Sequence, residues 1–129
     1  VPGQKLRIEV YRRLARLRDL KKLDDFRQEL RDRSGPPPEA VEWLLRTTEI
    51  RWLCVRWQVS SVHRLDRDLI FTYRNADRAK QLAARSRGRV KVVDERSAYL
   101  RLKAEDDDSP EGLYRLLAGV LNPPQPAAA

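Results

Sequence analysis

"VSSVHRLDRDLIFTYR", residues 59–74, is where the hydrophobic period of the chain changes, and its reading decides the fold. "VSSVHRL" and "DLIFTYR" are rich in β-branched and aromatic residues, and the short polar turn between them predicts a hairpin. Upstream the period is helical. In "KLRIEVYRRLARL", residues 5–17, the residues Leu6, Val10, Leu14 and Leu17 recur at spacings of four, four and three, which is one face of a helix. Asp19 is placed to cap a second helix whose buried stripe is Leu20, Leu23, Phe26 and Leu30. Gly35 is placed as the left-handed residue after that helix, and Pro36 to Pro38 forbid its continuation. A third helix is predicted from about Pro38 to Trp57, with Val41, Leu44, Leu45, Trp52 and Val55 facing inward.

Downstream, Asn75 caps a short helix bearing Ala79, Leu82 and Ala83, and Gly88 ends it. "RVKVV" and "SAYLRLK" form a second strand pair, the latter alternating through Ala98, Leu100 and Leu102. Ser109 and Pro110 open a final helix containing Leu113, Leu116, Leu117 and Val120, which Asn122 and Pro123 stop. The order is three helices and then two strand–strand–helix units. Strands joined this closely pair antiparallel, so the expected class is α+β, with one small antiparallel sheet packed with helices. Residues 1–122 are expected to form a single domain, and the Pro/Ala tail 123–129 to be disordered.

The 129 residues suit one modest core. With no methionine and a start at Val1, the chain is expected to be a piece of a larger protein. It shows no signal peptide and no long uncharged apolar run. Its single cysteine, Cys54, fits a reducing cytoplasm. A net charge of +8 suggests nucleic acid or an acidic protein as neighbour. The excess is divided, however. Residues 1–35 hold 11 basic and 6 acidic residues, 59–104 hold 12 and 5, and 105–129 hold 1 and 5.

Enzyme signatures are missing. No glycine-rich phosphate loop is present, so this chain is not expected to bind nucleotide in that manner. A lone His63 makes neither a metal site nor a triad, and Cys54, between Leu53 and Val55, reads as a packing residue. "EDDDSPEG", residues 105–112, precedes a helix start, where carboxylates suit the positive end of the dipole; capping is the expected role and a metal is not. Arg7, Arg12, Arg13, Arg16, Arg18, Lys21 and Lys22 raise the alternative of a DNA-contacting accessory module, with Arg12, Arg13 and Arg16 nearest the DNA. They spread around the first helix, and zinc-finger, RNP1 and GXXG signatures are absent.

The second helix is more informative. At ~100° per residue with Leu23 as zero, Asp25, Glu29 and Asp32 fall at ~200°, ~240° and ~180°, opposite the apolar stripe. They form an acidic ridge on a basic protein. As an ordinary solvated face it would include a Glu29–Arg33 pair at i+4, worth only about 0.3–0.5 kcal/mol. Asp32 is the odd member, because it sits in the last helical turn, where the macrodipole disfavours a negative charge.

"RIEVYRRLARL" followed by "LDDFRQELRDRSGPPPEAVEWLL" resembles the C-terminal (TRCF) domain of the bacterial transcription-repair coupling factors, the Mfd family. The family's Tyr-[Arg/Lys]-Arg-[Leu/Ile]-Ala is matched by Tyr11, Arg12, Arg13, Leu14 and Ala15. Its Glu-Leu-x-Asp-Arg-Phe-Gly-x-x-Pro is matched by Glu29, Leu30, Asp32, Arg33, Gly35 and Pro38. Ser34 stands where the family has phenylalanine, and Gln58 where it has a left-handed glycine; the Ile-Pro-x-x-Tyr lead-in is absent.

The resemblance implies a non-catalytic regulatory domain of an ATP-driven DNA translocase that displaces stalled RNA polymerase and recruits UvrA for excision repair in the bacterial cytoplasm. ATP and magnesium would belong to the upstream motor, and this domain would hold no cofactor and touch no membrane. It would dock on the UvrA-binding module of its own chain and mask it. The docking residues carried over are Glu29 and Asp32, with Asp25 on the same ridge, facing arginines of the masked module.

Overall fold

The computed structural model describes residues 2–122, with side chains described from Lys5 onward; the Pro/Ala tail 123–129 lies outside the described residues. The elements are α1 (Pro2–Arg16), α2 (Leu20–Ser34), α3 (Glu39–Arg56), β1 (Val59–Leu65), β2 (Asp68–Tyr73), α4 (Ala76–Arg85), β3 (Val90–Val92), β4 (Ser97–Arg101) and α5 (Pro110–Leu121). This is the expected α+β order. The chain divides into two compact units, residues 1–52 and 53–129.

In the first unit, one core joins Val10 and Leu14 of α1, Leu23, Phe26 and Leu30 of α2, and Val41 and Leu45 of α3. Leu6, Leu17, Leu20 and Leu44 close its rim. Each fully buried side chain of this kind stabilises by about 1.5–3 kcal/mol, which lets three helices of low average hydropathy pack without a sheet. A half-buried ion pair between Arg27 and Glu49 at 3.2 Å ties α2 to α3.

Val55, expected inward, is 57% exposed. Leu53 and Trp57 are buried in its place. At ~100° per residue Leu53 and Val55 stand ~160° apart, so only one of them can face a core. Residues 1–52 and 53–129 each pack by themselves, so one buried stripe cannot be extrapolated along the length of α3.

In the second unit the two strand pairs form a single four-stranded sheet in the order β1-β2-β4-β3. All pairings are antiparallel, with Leu69 opposite Leu100, Ile70 opposite Tyr99, and Val90 opposite Leu100. Alternation puts Leu69, Phe71 and Tyr73, Ala98 and Leu100, and Val90 on the buried face. Asn75 accepts the Arg78 N–H to start α4, and Ser109 accepts the Gly112 N–H to start α5. The Trp57 indole N–H donates to the Leu121 carbonyl and holds the end of α3 to the end of α5. Between α3 and β1, Gln58 has φ 56°, so it keeps the left-handed turn without the glycine.

Candidate docking surface

The corner after α2 is fixed at both ends of that helix. Asp19 accepts the Lys22 N–H at 2.8 Å, and the Gly35 N–H donates to the Arg31 carbonyl at 2.8 Å. Gly35 has φ 75° and ψ −165°. The expected positive φ is present, but the residue is extended instead of helical, a region that only glycine occupies easily. Pro38 then accepts the Glu42 N–H at 2.9 Å to begin α3. The last turn of α2 is therefore held between its cap and a proline-braced turn.

Asp25, Glu29 and Asp32 are all exposed, and with Gln28 and Arg33 they line a shallow depression of ≈ 630 Å³. The expected ridge forms, but its charges are not equivalent. Glu29 does not pair with Arg33. It accepts from Arg13 at 3.1 Å, while Arg33 reaches Glu9 at 3.4 Å. Helix α1 lies beside α2, and the Arg13 guanidinium sits 4.6 Å above the Phe26 ring, which brings it to the residue one turn on, Glu29. These two cross-helix pairs make a neutral seam between α1 and α2. Asp32 accepts only the Gln28 amide at 2.9 Å. Asp25 and Asp32 have no cationic partner among the described residues, so the ridge keeps two uncompensated negative charges.

Of the DNA-proximal candidates, Arg13 is thus committed to Phe26 and Glu29, whereas Arg12 and Arg16 are exposed. Arg12, Arg13 and Arg16 fall within about 100° of one another on α1. With Lys5, Ile8 and Glu9 they line a second depression of ≈ 470 Å³. Lys5 and Ile8 escaped the sequence reading and Tyr11 entered it only through the family motif, although placing α1 on a helical wheel puts Ile8 and Tyr11 away from the Leu6–Val10–Leu14 face.

The remaining candidates have structural surroundings. Burial raises the pKa of the Cys54 thiol, which disfavours the nucleophilic thiolate. His63 is exposed on β1. Asp106 accepts the Lys103 N–H and Arg89, both at 2.7 Å; the backbone hydrogen bond, followed by Arg89, holds its carboxyl below the usual range. The Ser109 backbone N–H does the same to Asp107, and Asp108 pairs with Arg64 at 3.2 Å. The acidic run thus ties a loop to the start of α5, while the cap itself is Ser109. Among the described residues no group of three His, Cys, Asp or Glu could hold a metal, and no helix is long and apolar enough to cross a membrane.

A family model described as the TRCF domain matches residues 1–84, a span that includes the acidic ridge and the corner after α2. A solved structure, the crystal structure of the C-terminal domain of a transcription-repair coupling factor, superposes with a TM-score of 0.67 at 15% identity. The match covers 91% of this chain and 76% of that one, and at this identity it speaks for the fold. No curated protein matches the chain.

Proposed function

The chain belongs to the TRCF-domain family, and from that premise we propose that it is a non-catalytic regulatory domain whose acidic α2 ridge docks on the UvrA-binding module of a larger coupling factor. The observation that carries this reading is the exposure of Asp25 and Asp32 without cationic partners among the described residues, on a chain of 27 basic residues. Arginines were available to neutralise these carboxylates, as Arg13 does Glu29, yet the fold leaves them open. An arginine of the masked module would supply the missing countercharge, and Asp32 would then be kept against its own helix dipole for a partner.

Masking works by competition. A docked domain lowers the fraction of exposed UvrA sites, and tethering on one chain supplies the effective concentration that makes a small interface sufficient. Motor, polymerase contact, ATP and DNA would all lie elsewhere in the parent, in the cytoplasm.

Competition in trans tests the reading. The 129-residue chain, added to the separately purified UvrA-binding module, should displace UvrA. The Asp25→Lys plus Asp32→Lys chain should do so at least about tenfold less well, because two attractive pairs become repulsive. An unaltered chain that fails to compete, while binding duplex DNA with a steep salt dependence, would favour the DNA-contacting alternative instead.

A further inference from the structure

Helix α1 has two faces. Val10 and Leu14 are buried in the three-helix core, yet Ile8 is 52% and Tyr11 66% exposed on the opposite side. Ile8, Tyr11 and Ala15 stand at i, i+3 and i+7, so they run as a ridge along the outer surface, and Ala15 is exposed as well. Cations flank the ridge on both sides. Setting Lys5 at zero, Tyr11, Ala15 and Ile8 lie between ~240° and ~300°; Arg7 precedes them at ~200°, and Arg12, Lys5 and Arg16 follow between ~340° and ~20°.

The flanking charges are uncompensated. Lys5, Arg7, Arg12 and Arg16 make no ion pair among the described residues, and the one carboxylate in their midst, Glu9, is taken by Arg33 at 3.4 Å.

We propose that this outer face of α1 is a second docking surface, and that its occupant is an acidic amphipathic helix of a partner protein. An apolar ridge with cations on both sides has the arrangement of a coiled-coil seam, in which apolar side chains interdigitate and the flanking positions choose the partner by charge. The matching helix places leucine-like residues against Ile8 and Tyr11, and glutamates against Arg12 and Arg16 on one side and Arg7 on the other. Duplex DNA fits less well, because its phosphates would have to straddle the apolar ridge instead of meeting a continuous basic strip. A second copy of the chain fits less well too: its acidic helix, α2, exposes no large apolar side chain to enter the seam. The surface stands apart from the acidic ridge, across the Arg13–Glu29 and Arg33–Glu9 seam, so it does not rest on the masking reading.

The test uses the 129-residue chain and a fluorescent helical peptide with leucines at seam positions and glutamates on either side. Controls are the same peptide with lysine for glutamate, and a duplex DNA of unrelated sequence. The acidic peptide should bind saturably. Ile8→Ser plus Tyr11→Ser, and separately Arg12→Glu plus Arg16→Glu, should each weaken it by about tenfold or more with unchanged melting. The second variant should gain affinity for the lysine peptide. The proposal would be overturned by no saturable binding, by binding that needs Arg12 and Arg16 but is indifferent to Ile8 and Tyr11, or by duplex DNA displacing the peptide with higher affinity. Self-association abolished by the Ile8 and Tyr11 substitutions, with no peptide bound, would assign the face to a second copy and equally overturn it.

Discussion

Gln58 holds φ 56°, a conformation that costs an L side chain roughly 1–2 kcal/mol and that glycine adopts freely. Its N–H donates to the Val55 carbonyl and its carbonyl accepts the Arg74 N–H, so the turn between α3 and β1 is locked in that state. Gln58→Gly should therefore stabilise the chain by about 0.5–1 kcal/mol, even after glycine's greater entropy in the unfolded state is counted. Thermal denaturation should show a rise of a few degrees; a fall would mean that the glutamine side chain makes a compensating contact. Gly112 runs the other way. In a helix, alanine is ordinarily better than glycine by about 1 kcal/mol. Here a Cβ would run into the Asp107 backbone carbonyl and side chain, because the 103–108 loop folds over the first turn of α5. Gly112→Ala should cost about 1–3 kcal/mol, a reversal of the propensity sign readable in a chemical melt.

At the scale of elements, the 103–109 loop shows how an acidic run stabilises a helix start. Asp106 accepts the Lys103 N–H and Arg89 together, and its folded-state pKa is lowered accordingly. A carboxylate lowered in the folded state contributes fully above its unfolded pKa, about 4, and loses that contribution as pH falls through the folded value. Asp106→Asn should cost about 1–2 kcal/mol near neutral pH and flatten the stability loss below about pH 4, as followed by urea melts across pH. The elements themselves were legible in the sequence. Asp19, Asn75 and Ser109 each cap the helix they precede, and the period-2 run through Ala98, Leu100 and Leu102 is buried on alternate residues as read. What could not be read was the partner of each outward face. Val55 is exposed because Leu53 and Trp57 are the residues buried there, and Glu29 left Arg33 because the Phe26 ring brings Arg13 across from α1. Both outcomes depend on what packs beside a helix, a tertiary fact that periodicity along one helix does not contain.

For the whole molecule, the same distinction separates the site from its meaning. Periodicity placed Asp25, Glu29 and Asp32 on one outward ridge, and the family match covers that ridge. Only the packed helices show that Glu29 is already neutralised, which leaves Asp25 and Asp32 as the ridge's charges without a cationic partner among the described residues. Glu29→Arg would set two arginines against each other inside the domain, so it confuses folding with docking. Asp25→Arg plus Asp32→Arg avoids this. Both positions are exposed, their replacement should change stability by no more than about ±0.5 kcal/mol, and arginine suits the C-terminal turn at position 32. Across a docked interface the same pair of reversals should cost several kcal/mol. The most direct measurement is the UvrA affinity of the full-length parent protein carrying Asp25→Arg and Asp32→Arg, beside the melting temperature of the isolated domain with the same changes. An acidic mask predicts an affinity at least about tenfold above that of the unaltered parent, with melting unchanged. An affinity that stays at the unaltered level while the domain melts normally would contradict it.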